Sequence, residues 1–327
     1  MSRDWIIAIG GGIISAIASL AFLGGVPGVL LLVYLAPLPL MMVGLAFGPA
    51  AAAVASVAGA LAAGAIGTAV ATVLFAVIHG LPAWMTVHLA LRNQPAEETR
   101  RQKGVANETS ADKAAWYPAG HVLAWLTALG CGSFLIMVFF IAGGAGEFKD
   151  AVTNYLDQVL SMLAPALPKE NRIQVLSLIS PLFPALVGAT WLVVTAVNGA
   201  MAQGIVKRMG RALRPSPSYR NLSLPNWLSW LLVGTAAMAL TGPLMGMVEM
   251  EYMGRNLVAV SAVPFFFLGV AVLRYLVRKP MFIMMVIISA SLFLTIPGWT
   301  ALLVTGIGLT EHWIGLRRLF PGQTGVS

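Results

Sequence analysis

Asn198 lies inside an apolar stretch, 181–206, that also carries Thr190, Trp191, Thr195 and Gln203 and leaves through Lys207 and Arg208. A carboxamide in hydrocarbon without a hydrogen-bond partner costs roughly 2–7 kcal/mol, so it either bonds a neighbouring helix or meets a polar ligand. A second polar cluster, Glu249, Glu251, Tyr252, Arg255 and Asn256, falls between two later apolar stretches. Trp191, Asn198, Glu251, Arg255 and Asn256 are therefore the candidate ligand-binding residues. The two asparagines would act as neutral hydrogen-bonding groups, and Glu251 or Arg255 would read ligand charge.

Other chemistry has less to stand on. No Asp, Glu, Lys or Arg falls at the middle of an apolar stretch, which argues against a buried-carboxylate ion exchanger and against a voltage sensor. His79, His88 and His121 share no metal-ligand spacing and read as packing or interfacial residues. The single Cys131 excludes a disulfide framework and a cysteine metal site. Gly10, Gly11 and Gly12 follow no strand and form no phosphate loop, and neither a Gly-x-Ser-x-Gly elbow nor a His-Glu-x-x-His motif occurs. The expectation is a protein with no catalytic residue, metal or cofactor. A membrane enzyme is the third-ranked reading and would require the histidines to meet in space.

The elements that must position these residues are membrane spans. Hydrophobic residues make up 58% of the chain and charged residues 10%, and the mean hydropathy is +0.85. Apolar runs repeatedly reach the roughly 20 residues needed to cross a bilayer core. Splitting them at Gly and Pro predicts an all-α polytopic bundle of about ten spans: 5–24, 28–47, 50–68, 70–91, 121–143, 181–206, 228–248, 257–278, 281–297 and 299–316. The last two are short enough to be one re-entrant hairpin, which gives a range of eight to ten. Residues 1–91 form a four-span block, 92–115 a polar cytoplasmic linker, and 116–327 a six-span block with an outer segment at 147–175.

Charge sorting orients the spans. With both termini cytoplasmic, Arg3, the basic residues of 92–113 and of 207–220, Arg274, Arg278, Lys279, Arg317 and Arg318 all fall inside. Only Lys149, Lys169, Arg172 and Arg255 of the 20 basic residues stay outside, together with six of the 12 acids. A pI near 10.0 is then a topology signal directed at anionic lipid, with no nucleic-acid partner implied. The apolar stretch after Arg3 exceeds a signal-peptide core, so a retained first helix is expected.

Two surfaces stand out. Ala51, Ala55, Gly59, Ala63 and Gly67 recur every four residues, with Ala52, Ser56, Ala60 and Gly64 beside them. Such a face suits close helix packing, either within the chain or against a separate transmembrane coupling subunit. Residues 147–163 place Phe148, Tyr155, Leu156, Val159 and Leu163 on one face and Lys149, Asp150, Asn154 and Asp157 on the other. This predicts an amphipathic outer helix, ended by Pro165 and Pro168.

The C-terminal half carries short motifs: Asn198 before Lys207-Arg208, Leu224-Pro225-Asn226-Trp227, Arg255-Asn256, Pro264 to Gly269 leading to Arg274-Tyr275, and Glu311-His312-Trp313 before Arg317-Arg318. On these the chain resembles the YybS-like family of uncharacterised multi-spanning bacterial membrane proteins. That family is distantly similar to the S components of energy-coupling-factor transporters. The resemblance implies a helical bundle binding a small metabolite, with a small-residue helix face docking a coupling subunit served by separate ATPases. Glu311-His312 stands where the resemblance implies an Asp before the final Trp, and about ten spans exceed the six typical of S components. The expected function is that of a multi-pass protein of the bacterial inner membrane, of transport type, binding a small solute between helices without an ATPase of its own. The alternative is a non-catalytic assembly or scaffold subunit contacting lipid headgroups or a partner protein.

Overall fold

A computed structural model describes residues 3–21, 30–94, 115–141, 143–276 and 299–319. The predicted span 281–297, residues 95–114 of the expected linker, and Arg278 and Lys279 lie outside them. The fold is an all-α, multi-spanning helical bundle. The helices in chain order begin with α1 (Arg3–Leu20), α2 (Leu30–Leu35), α3 (Pro37–Phe47), α4 (Pro49–Ile66), α5 (Ala69–Phe75) and α6 (Leu81–Ala90). There follow α7 (Ala119–Ile136), α8 (Ala145–Leu163), α9 (Lys169–Ile179) and α10 (Phe183–Arg208). The last are α11 (Asn226–Leu244), α12 (Val248–Leu276), α13 (Trp299–Ile314) and α14 (Leu316–Leu319). A two-residue antiparallel bridge sets Asn93 opposite Trp116 and Gln94 opposite Ala115.

Among the described residues, 7 helical stretches are long and apolar enough to cross a membrane: Arg3–Leu20, Pro49–Ile66, Ala69–Ala90, Ala119–Phe140, Lys169–Arg208, Asn226–Leu244 and Val248–Tyr275. The expected span 28–47 is a shorter apolar stretch interrupted at Ala36, just before Pro37, which lacks the N–H that would continue the ladder. The expected span 299–316 corresponds to the 16-residue α13. The stretch Ala69–Ala90 stays continuous through a π-helical turn, Ala76–Gly80. A wider turn there accommodates Pro82, whose ring clashes with a regular α-turn.

The chain packs as two compact units. The first comprises Met1–Leu126 and Val193–Ser218, the second Thr127–Leu192 and Tyr219–Ser327, so the division falls within α7 and within α10. In the first unit Ala8, Gly11, Gly12, Ser15, Ala16 and Ser19 form the buried face of α1. A methyl at Gly12 would run into the Ala55 carbonyl and the Gly59 nitrogen of α4, so the two backbones touch. The core continues through Leu40, Met41, Phe75, Val87 and Val206.

In the second unit α11, α12 and α13 pack by the same device. A methyl at Gly254 would meet the Ala239 backbone, and one at Gly308 the Phe265 carbonyl. Thr235 and Ser261 share a buried hydrogen bond of 3.2 Å between α11 and α12. The expected amphipathic helix is α8, longer at its start by two residues than the sequence pattern indicates. The remainder of the outer segment 147–175 holds a further helix, α9, tied back to α8 by an Arg172–Asp157 ion pair of 3.0 Å.

Candidate functional site

Asn198 is 2% exposed in α10. Its Nδ2 donates to the Val194 carbonyl (2.8 Å) and to the Tyr34 carbonyl of α2 (2.8 Å), both within the first unit. Tyr34 lies beside the break at Pro37, where the helix ladder lapses and frees carbonyls. The Ser15 hydroxyl donates to a second one, Ala36, at 2.5 Å. Asn198 thus stitches a broken helix with its nitrogen. Its Oδ1 is buried and has no hydrogen-bond partner among the described residues. A strong acceptor is left in the apolar layer, complementary to a hydroxyl, amide or ammonium donor.

Asn256 is 1% exposed in α12 and has a different task. Its Oδ1 accepts from the Ala185 N–H (2.8 Å), and its Nδ2 donates to the Pro181 carbonyl (3.0 Å) and the Tyr252 carbonyl (2.8 Å). Ala185 and Pro181 are four apart, the spacing of one helical hydrogen bond. The Asn256 amide replaces that bond where α9 passes through the 3-10 turn Ser180–Leu182 into α10. Both amide protons and one acceptor position are engaged inside the second unit, so this residue is a helix clamp.

Glu251 and Arg255 pair with each other one turn apart on α12, with the Arg255 side chain largely in the open. Trp191 lies against Gly130 of α7, close enough that a methyl there would touch its ring at 3.1 Å. The Tyr252 hydroxyl is buried and without a hydrogen-bond partner among the described residues. Of the five residues selected from sequence, Trp191, Glu251, Arg255 and Asn256 belong to the second unit and Asn198 to the first.

Ala51, Ala55, Gly59 and Ala63 of the small-residue stripe are buried, and Gly12 of α1 closes on them. Gly67 follows the end of α4, with Leu20 of α1 nearby. This face is occupied by the chain's own first helix, so an external coupling subunit would have to use another. Each histidine packs on an aromatic ring: His79 on Phe75 (5.5 Å), His88 on Trp84 (5.2 Å), His121 on Tyr117 (5.6 Å) and His312 on Phe265 (5.6 Å). No group of three metal-ligating side chains gathers among the described residues. Cys131 is buried with Leu257 and Val260.

Two arginines expected among the basic cytoplasmic segments, Arg214 and Arg317, are structural. Arg214, 6% exposed, donates to the Ala90 carbonyl at the end of α6 (2.6 Å) and to Tyr117 (3.4 Å), with its guanidinium 5.9 Å over the Trp116 ring. Its own carbonyl accepts from the Gln203 amide at 2.9 Å. Arg317 pairs with Glu311, 9% exposed, at 2.7 Å, and donates to the Arg220 (2.7 Å) and Leu222 (2.8 Å) carbonyls. Glu311 of the C-terminal motif therefore holds Arg317 as a clamp on the segment before α11. No local pattern signals either role, because the carbonyls involved are distant in sequence.

These apolar helices, with polar groups turned inward, define an integral, multi-pass membrane protein. The chain belongs to the family described as predicted membrane protein (DUF2232), whose model matches residues 13–311. Comparison with curated proteins and with solved structures gave no match.

Proposed function

We propose that this is a transport-type protein of the bacterial inner membrane that binds a small polar solute between helices and has no ATPase of its own. The observation that carries the reading is the buried Oδ1 of Asn198, without a hydrogen-bond partner among the described residues, beside the interruption between the apolar helices α2 and α3. Interrupted helices stitched by side chains are the usual architecture around transporter binding sites, because irregular backbone at membrane depth is tolerated only where protein or a cavity satisfies it. A second interruption, between α9 and α10, supports the same reading. The solute would offer a hydrogen-bond donor to Asn198, and the likeness to S components belongs to this proposal. Asn256 leaves the proposed ligand set because its amide is engaged internally.

The test is native mass spectrometry of protein gently extracted from its own membrane. A stoichiometric metabolite that is lost in Asn198→Leu, while the variant stays folded, is the expected result. An empty chain that instead retains a protein partner of defined mass overturns this reading in favour of an assembly subunit. The burial of Arg214 weakens that alternative, since it removes one basic residue from the surface available to a partner.

A further inference from the structure

At one end of the first unit a cleft of about 510 Å³ opens between the start of α1, the end of α3 and the turn that follows α10. Its lining mixes apolar Ile7, Ala46, Phe47 and Leu213 with Arg3, Arg211 and the single acid Asp4. Neither arginine forms an ion pair among the described residues. The turn that carries Arg211 is fixed by its backbone. Gly210 adopts a left-handed φ of 69°, its N–H bonds Lys207, and the Arg211 N–H bonds Val206, a Schellman closure of α10. The Leu213 N–H then bonds the Leu45 carbonyl at 3.3 Å, tying the turn to α3. This returns the Arg211 guanidinium over the Phe47 ring, 5.9 Å from its centre.

We propose that this cleft binds the headgroup of one anionic phospholipid. Guanidinium groups match phosphate oxygens in a charge-assisted, planar fork. The apolar residues of the lining suit the glycerol and upper acyl region, which a soluble phosphate would leave uncovered. The cleft lies at the termini of three helices, and the exposed Trp5 in the first turn of α1 is of the type enriched at the membrane boundary. Lys207 and Arg208, at the end of α10, add to the local positive potential. The proposal is independent of solute binding at Asn198.

The test uses the full chain purified in neutral detergent, loaded with phosphatidylglycerol or phosphatidylcholine and read by native mass spectrometry. One phosphatidylglycerol should be retained over phosphatidylcholine. Arg3→Gln combined with Arg211→Gln should lower its retention about tenfold, which corresponds to about 1.4 kcal/mol. Phe47→Leu changes no charge and should lower retention about threefold by releasing Arg211, so a folding or topology defect in the double variant does not decide the matter. Lys149→Gln should retain the lipid as the wild type does. Equal retention of phosphatidylcholine, or unchanged retention in both cleft variants, overturns the proposal. Displacement of the lipid by millimolar inorganic phosphate assigns the cleft to free phosphate and overturns it as well.

Discussion

What an asparagine does inside a membrane helix is decided by what its amide touches, and Asn198 and Asn256 differ in that respect. Asn256→Ala would orphan the Ala185 N–H and the Pro181 carbonyl together. We expect a loss of about 1–3 kcal/mol, read as a lowered unfolding midpoint in detergent. Asn198→Leu orphans the Tyr34 carbonyl, since Val194 keeps its place in the α10 ladder, but it also removes an acceptor without a partner among the described residues, so it should move the midpoint less; a larger shift for Asn198 would reverse the two assignments. Arg214→Lys offers a parallel test, because it keeps the charge that sets topology while losing the fork over Ala90 and Tyr117. It should cost about 1–2 kcal/mol, whereas Arg208→Lys, on an exposed position, should cost nothing measurable. Neither the clamp at Asn256 nor the burial of Arg214 was legible beforehand, since residue type shows that a side chain needs partners and only the packing shows which ones.

At the scale of elements, length and hydropathy carried the reading of the long spans, while local backbone departures escaped it. The break at Pro37 was hidden because the apolar run continues across it, and α9 was missed because its Lys169-Glu170-Asn171-Arg172 start reads as loop. The small-residue stripe was visible on α4, but its partner face on α1 was not, because Gly10 to Gly12 resembled a failed motif rather than one side of a helix contact. That contact predicts a sharp difference within three consecutive glycines. Gly12→Ala places a methyl against the α4 backbone, which cannot shift without moving the helix, and should destabilise by at least about 1–3 kcal/mol. Gly10→Ala meets nothing within 4 Å and should be neutral or slightly stabilising, since alanine favours the helix. Thermal midpoints of the two variants in the same detergent check the pair, and equal losses would mean that α1 does not pack on α4 through this face.

For the whole molecule, the asymmetry of charge remains the strongest argument on orientation. The helix α10 connects a segment bearing Lys149, Asp150, Asp157 and Glu170 to one bearing Lys207, Arg208, Arg211 and Arg214. At about 1.5 Å per residue its 26 residues reach roughly 39 Å, longer than a hydrocarbon core of about 30 Å, so the two segments must lie on opposite sides if it spans. The basic side should be cytoplasmic. Because Cys131 is the sole cysteine, Cys131→Ala leaves a background on which single reporters can be read. Asn154→Cys on α8 and Ser218→Cys after the basic turn both fall on exposed positions. In intact cells a membrane-impermeant maleimide should label the first and reach the second only after the membrane is opened. The reverse pattern would invert the orientation while keeping α10 as a span. Labelling of both from outside would remove the span itself, and with it the placing of Asn198 in the apolar layer on which the solute-binding reading depends.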